Sequence, residues 1–334
     1  MSDSRFEASL LERFGSSRVQ RQLALGPLTT FKVGGPADWF VEVRGSAELR
    51  DALRLARDSG VAVFVLGGGS NVLVADDGVR GLVVRLHGGE VTRIAPDRIR
   101  ADAGVTINGL VRWTVSSGLA GLEAWAGTPG TVGGAVHGNA HFQGRLIGDL
   151  IVAATVAIRT GEVTDVSGAD LEFGYDYSRL QRTGEILVTA DFRVGEGNPA
   201  VLRATARESL AFRKRTQPLA SPSAGCIFQN PAPGRDQVPD GIPWSAGALV
   251  DRAGLKGARE GHASVSTTHA NFIVNEGGAK AGEIRALVER CKQGVLEAFG
   301  VQLREEIVYM GFEAGGQAAR TDRGAENTHG NPQD

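Results

Sequence analysis

The chain has 334 residues, enough for two or three domains that each bury a core. Lys+Arg 36 against Asp+Glu 38 leaves a net charge of -2, so no global field selects nucleic acid or an anionic membrane, and any anionic ligand must be held locally. Cys226 and Cys291, the only cysteines, are too few and too far apart for a disulfide framework or a thiolate metal site. The N-terminus carries charges where a signal peptide needs an apolar run, and no stretch approaches membrane length, so a cytoplasmic protein is expected.

Residues 4–15 carry a weak amphipathic helical pattern. A strand and a Gly-Gly-Pro turn are expected between Leu28 and Ala37, followed by a strand over 39–43. Residues 46–59 read as a helix, with Ser46 as N-cap, Leu49, Leu53 and Ala56 on one face, and Gly60 ending it before a strand over 61–66. Gly67-Gly68-Gly69 comes next. A glycine run there is either a tight turn or a backbone nest whose N–H groups hold an anion, helped by Ser70 and Asn71. Val72 stands where a dinucleotide fingerprint needs its third glycine, and no Lys-Ser/Thr pair follows, so neither a Rossmann loop nor a P-loop fits. Val72-Leu73-Val74-Ala75, the turn Asp76-Asp77-Gly78 and Leu82-Val83-Val84 follow, so the loop joins strand to strand.

A strand from Arg98 and a helix over 107–117 lead into residues 121–136, where five glycines and one proline exclude a single regular element although the segment is apolar enough to be buried. It is either a packed glycine-rich crossing or a cofactor wall. Residues 150–194 alternate as an antiparallel meander. Leu202, Ala206, Leu210 and Phe212 give residues 199–215 helical periodicity, ending in Arg213-Lys214-Arg215, a cluster of the kind that ordinarily faces water. Residues 220–312 read as α+β, with helices over 246–253 and 281–299, a strand over 271–275 and a last strand after Glu305 and Glu306. The remainder, without periodicity, is expected to be disordered.

Five motifs, LGGGSNVLVADDGVRGLVV, AGTPGTVGGAVHGNA, SAGCIFQNP, SAGALVDRAGLKG and GHASVSTTHANFIVN, resemble in order and spacing the UDP-N-acetylenolpyruvoylglucosamine reductase family, the MurB flavoenzymes of peptidoglycan synthesis. The similarity runs from about Thr29 to Gly311. It implies an α+β architecture: a vanillyl-alcohol-oxidase/PCMH-type FAD-binding fold of two subdomains, 1–85 and 86–212, a C-terminal substrate-binding domain, 213–312, and a tail, 313–334. FAD would be noncovalent, with Gly67, Gly68, Gly69, Ser70 and Asn71 on its diphosphate and Gly127, Pro129, Thr131, Gly133 and Gly134 further along. Asn139 is either a neighbour of the cofactor or a turn residue. The short link between 194 and 203 matches the type II form, which lacks an extra loop over the substrate.

The reaction so implied uses NADPH to reduce FAD and then reduces the enolpyruvyl ether of UDP-N-acetylglucosamine enolpyruvate to UDP-N-acetylmuramate. No nucleic acid, membrane insertion or obligate protein partner is implied. The family's catalytic glutamate falls on Glu306 and its serine on Cys226. A lone cysteine among Ala224, Ile227 and Phe228 also reads as a small buried hydrophobe, but its thiol, with a reference pKa of about 8.5, can serve as proton donor, and that donor would be lost in alkali. The family's Tyr-Arg-x-Ser reads Tyr175-Asp176-Tyr177-Ser178 here. An aspartate cannot replace a catalytic arginine, so Arg179 is assigned as the displaced cation, with Arg182 as alternative and ordinary surface arginines as the competing reading. Tyr175, Lys214, Arg215, Gln229 and Asn230 are expected on the substrate. The lost arginine also allows a catalytically impaired FAD-binding homologue with a binding or regulatory role.

Overall fold

A computed structural model describes residues 3–312; the tail expected to be disordered lies outside the described residues. The first sheet runs in the order Val19–Ala24, Pro36–Val43, Val79–Leu86, Val63–Leu66. Its outer pair is antiparallel and the others parallel, which requires the crossover helix Gly45–Ser59. That helix packs with Asp3–Phe14, and Phe6 meets Trp39 edge to face at 5.2 Å. The helix begins at Gly45, so Ser46 is not the cap: Glu48 instead accepts the Arg44 N–H at 2.7 Å and the Arg18 guanidinium. Gly60, with φ 69°, ends it as expected. The edge strand Val19–Ala24 has a single buried residue, Val19, and therefore no alternation to betray it. Residues 29–34 form no strand; the Thr29 hydroxyl donates there to local carbonyls.

The second sheet is wholly antiparallel, in the order Val163–Ser167, Ile151–Ala157, Ile186–Arg193, Arg98–Asp102, Val91–Ala95. It carries the helices Ile107–Ser116 and Val132–His137 and shares one apolar core with the first sheet. After Ile186–Arg193 the chain passes through Gly195–Glu196 directly into the helix Pro199–Thr216, with no room for an extra loop.

The third unit sets Arg259–Glu260, Ala263–Val265 and Ile273–Asn275 against Ala281–Phe299, with Ala246–Arg252 beside them around Ile227, Leu249, Ile284 and Leu287. It is tied back to the first. The Asp76 carboxylate accepts the N–H groups of Ala281 and Gly282 at 2.8 and 3.0 Å, the Asn275 amide donates to the Phe31 carbonyl, and Val308–Met310 pairs in parallel with Val72–Val74. Among the described residues no helix is long and apolar enough to cross a membrane.

Candidate active site

The two glycine segments meet. A Cβ on Gly68 would lie 2.6 Å from the Gly130 Cα, so backbone packs on backbone there, and one on Gly67 would lie 2.6 Å from the Thr131 side-chain hydroxyl. Within the run only Gly69 takes positive φ, at 62°. Residues 121–136 are also more regular than expected: Thr131 caps the helix Val132–His137, its hydroxyl accepting the Gly134 N–H.

Among the described residues the backbone N–H groups from Gly67 to Asn71 have no protein acceptor, nor do those of Gly130 and Thr131. Orphan donors on facing loops of small residues suit a polyanion such as a dinucleotide diphosphate. Gly134 is exposed, and a Cβ there would find only the Thr131 hydroxyl, at 3.8 Å. The loops therefore fit the expected FAD. The Asn71 side chain is engaged otherwise: its amide donates to the Glu306 backbone carbonyl at 3.0 Å, while the Asn71 backbone carbonyl accepts the Val308 N–H.

Cys226 and Glu306 lie on adjacent extended segments. The Glu306 N–H donates to the Ile227 carbonyl at 2.7 Å, Phe228 bridges Glu305, and Gln229 donates to the Arg304 carbonyl. Buried Asn271 clamps the Cys226 side from behind, its carbonyl accepting the Ile227 N–H and its amide bonding both polar groups of Phe228. Gln229 and Asn230 stand at the rim, but the Asn230 side-chain oxygen is taken by the Ala246 N–H.

Tyr175 and Asp176 form the tip of a tight turn closed by Gly174 and Tyr177. Asn139 is a turn-holding residue: its amide donates to the Gly174 carbonyl at 2.7 Å and its oxygen accepts the Gly148 N–H. The Gln181 amide holds the Asp176 carbonyl. Asp176, at φ 50°, is 6% exposed; one carboxylate oxygen lies 2.9 Å from His141 Nδ1, and the other is buried without a partner. The His141 ring packs 4.9 Å from that of Tyr175.

Arg179 is not the displaced cation. Its guanidinium makes a bidentate pair with Glu185, both bonds 3.0 Å, and Arg182 pairs with Glu172 at the surface. The cation within reach of Cys226 is Arg213, which is 6% exposed, donates to the Thr128 hydroxyl at 2.8 Å and lies 3.8 Å over the Phe142 ring. Among the described residues it has no carboxylate partner, and its Nε is unsatisfied. Lys214 and Arg215, the expected substrate ligands, are exposed. Position in the helix was the missed signal: Leu202, Ser209 and Arg213 share the buried stripe.

These charges interact. Burial lifts the Glu306 carboxyl to about 8, with the Asp176 charge adding and His141 opposing. Burial alone would lower His141, but the hydrogen bond and charge of Asp176 outweigh it and raise the imidazole above its ordinary value. Burial brings Arg213 down to about 10, still charged at neutral pH, and raises the Tyr175 phenol. Burial also pushes the Cys226 thiol far up, with Glu306 and Asp176 pressing the same way, although the residue keeps partial exposure. This corrects the expected alkaline loss of the thiol: Glu306 deprotonates first.

Residues 37–167 match the FAD binding domain and residues 217–310 the C-terminal domain of UDP-N-acetylenolpyruvoylglucosamine reductase. Fold and site therefore define a flavin-dependent oxidoreductase in which an FAD-binding domain carries a MurB C-terminal domain. The UDP-N-acetylenolpyruvoylglucosamine reductase of Heliobacterium modesticaldum is 39% identical over 302 residues, covering 90% of this chain and 92% of that one. That of Synechococcus sp. is 39% identical over 306 residues, covering 90% and 97%. The crystal structure of the Thermus caldophilus enzyme superposes with a TM-score of 0.72 at 35% identity, covering 88% of this chain and 99% of that one. The chain belongs to the UDP-N-acetylenolpyruvoylglucosamine reductase family.

Proposed function

We propose that this protein reduces UDP-N-acetylglucosamine enolpyruvate to UDP-N-acetylmuramate in the cytoplasm, with noncovalent FAD and with NADPH as electron source. The observation that carries this reading is the clamp that sets the Cys226 segment against that of Glu306, with the charge of buried Arg213, which has no carboxylate partner among the described residues, acting on Cys226. The backbone donors of 67–71 and 130–131 would hold FAD, which would supply the redox chemistry that connects NADPH to the terminal enol carbon. Charge then grows on the conjugated carboxylate. Arg213 offsets it electrostatically, and Glu306, neutral at pH 7, donates a hydrogen bond that a second bare carboxylate could not. The Cys226 thiol delivers one proton to the carbon next to the carboxylate and regains it from solvent, so NADPH and one proton become NADP+ while the enolpyruvyl group becomes lactyl. Lys214 and Arg215, exposed at the end of the helix Pro199–Thr216, are assigned to the UDP diphosphate, and Tyr175 and Gln229 to the sugar-side rim. The impaired-homologue reading is not favoured, since the buried Arg213 keeps a positive charge acting on Cys226 although position 176 carries an aspartate.

The first test is flavin absorbance of the purified protein and NADPH oxidation with and without the enolpyruvyl sugar. Substrate-independent oxidation alone would count against the reading. A variant locates the cofactor. Gly134→Ala fits the protein and should keep flavin, whereas Gly134→Val, filling the open side of that helix, should purify without it. Gly68→Val cannot serve, because its side chain strikes Gly130 whether or not a diphosphate is bound. Full flavin in Gly134→Val would move the cofactor off this wall.

A further inference from the structure

We propose that His141, held by Asp176, does the work of the arginine that the family pattern places at position 176, donating from Nε2 to the carboxylate of the enolpyruvyl group. The proposal rests on the functional reading above and supplies a donor that reading leaves unassigned. An aspartate at that position carries the wrong charge, yet the turn that presents it is fully built: Asn139, Gln181 and the Gly174–Tyr177 bonds hold Asp176 in a left-handed conformation that costs a non-glycine residue energy. Asp176 uses one oxygen on His141 Nδ1, at 2.9 Å, in a pair whose side chains are 5% and 31% exposed. A carboxylate on one ring nitrogen fixes the tautomer and aim of the other. Among the described residues no protein group accepts from Nε2. With Nδ1–H on Asp176 the neutral ring has only a lone pair at Nε2, so it is the protonated ring, which Asp176 favours, that presents an open donor at the part-exposed end of an otherwise buried pair.

The charged and titratable groups facing this pair come from four elements. Tyr175 lies against the ring on the pair's own turn, Glu306 comes from the segment before Val308–Met310, Arg213 from the helix Pro199–Thr216, and Cys226 from the extended segment before Phe228. Arg213 opposes protonation of His141, whereas Asp176 and Glu306 favour it. With Glu306 neutral and His141 protonated, the set Asp176, His141 and Arg213 carries a net charge of one plus, which matches one substrate carboxylate. Two side chains thus replace one: the aspartate orients, and the imidazole donates.

Stopped-flow measurement of the two half-reactions, on protein loaded with flavin, separates this role from a structural one. His141→Gln should leave flavin reduction by NADPH within a few-fold of wild type and slow reoxidation by substrate about 100-fold, the loss typical of one charge-stabilising donor. In the Glu306→Gln background, where the carboxyl step is gone, Asp176→Asn should shift the remaining alkaline fall of reoxidation to lower pH, because the raised imidazole returns toward its ordinary value. The exchange His141→Gly with Asp176→Arg should recover reoxidation by restoring a cation at position 176. A second readout follows the wild type directly: the His141 ring protons, assigned by their loss in His141→Gln or in His141→Asn should the first not fold, should titrate above the imidazole's ordinary value and shift when UDP-N-acetylmuramate binds. Wild-type reoxidation in His141→Gln, or ring protons indifferent to that ligand, overturns the proposal even if the wild type turns over. Failure of the wild type to turn over would instead strike the functional reading.

Discussion

Cys226→Ala is expected to accept electrons from NADPH at the wild-type rate and then stop, holding reduced flavin after the enolpyruvyl sugar is added. The variant removes one sulfur from a segment fixed by backbone bonds from Asn271 and Glu306, so the clamp survives. What disappears is the transferable proton, and a positioned general acid contributes roughly 10²–10⁴-fold. Cys226→Ser restores a short side chain with one proton and should recover much of the rate. The serine variant should also show the same fall in alkali as the wild type, because burial keeps the thiol protonated through that range. Rapid reoxidation of Cys226→Ala would make the thiol a packing group and leave the proton to an ordered water.

The second large effect concerns Glu306. Its carboxyl, raised to about 8, is neutral below that value and ionised above it, so reoxidation by substrate should fall as pH rises through about 8. Glu306→Gln keeps a neutral donor of the same length; at pH 7 it should retain more activity than Glu306→Ala, and its profile should lose the step near pH 8. Glu306→Ala, with no donor, should lose about 10²–10³-fold below about pH 8, a deficit that narrows above it as the wild-type carboxyl ionises. A Gln variant with the wild-type step would assign that step elsewhere. The same raised carboxyl costs stability. Between its unfolded value near 4.5 and its folded value of about 8, only the unfolded chain is ionised, so the penalty grows as pH rises across that window and is absent below it.

The sequence foretold these parts of the fold unevenly. Helices such as Gly45–Ser59 and Ala281–Phe299 were legible because they bury one stripe and end on glycines that accept positive φ. The strand Val19–Ala24 was not, since it lies at an edge with a single buried side chain. In the site, Cys226 and Glu306 came from motif position, and backbone bonds bring their segments together. The cation did not: Arg179 is nearest in sequence but is neutralised by Glu185, while Arg213 arrives from 37 residues beyond Asp176, by helix phase alone. The pairing of His141 with Asp176 was equally hidden, because it depends on a turn held by Asn139, whose own role could be read two ways.

The bond from the Asn71 amide to the Glu306 carbonyl joins residues 235 apart, and the ladder of Val72–Val74 with Val308–Met310 closes beside it. On the ribosome, the glycine loop emerges long before the strand that fixes it. Contacts of such sequence separation form late, since the intervening chain must order first. Flavin loading is therefore an event of the finished chain rather than of the nascent one. A chain stopped at Arg304 should hold flavin far more weakly than the full protein, and equal affinity would mean that the first two sheets set the loop unaided. Quality control follows from the same geometry: a protein truncated near its end stays colourless instead of becoming a flavoprotein that can be reduced but cannot pass its electrons on.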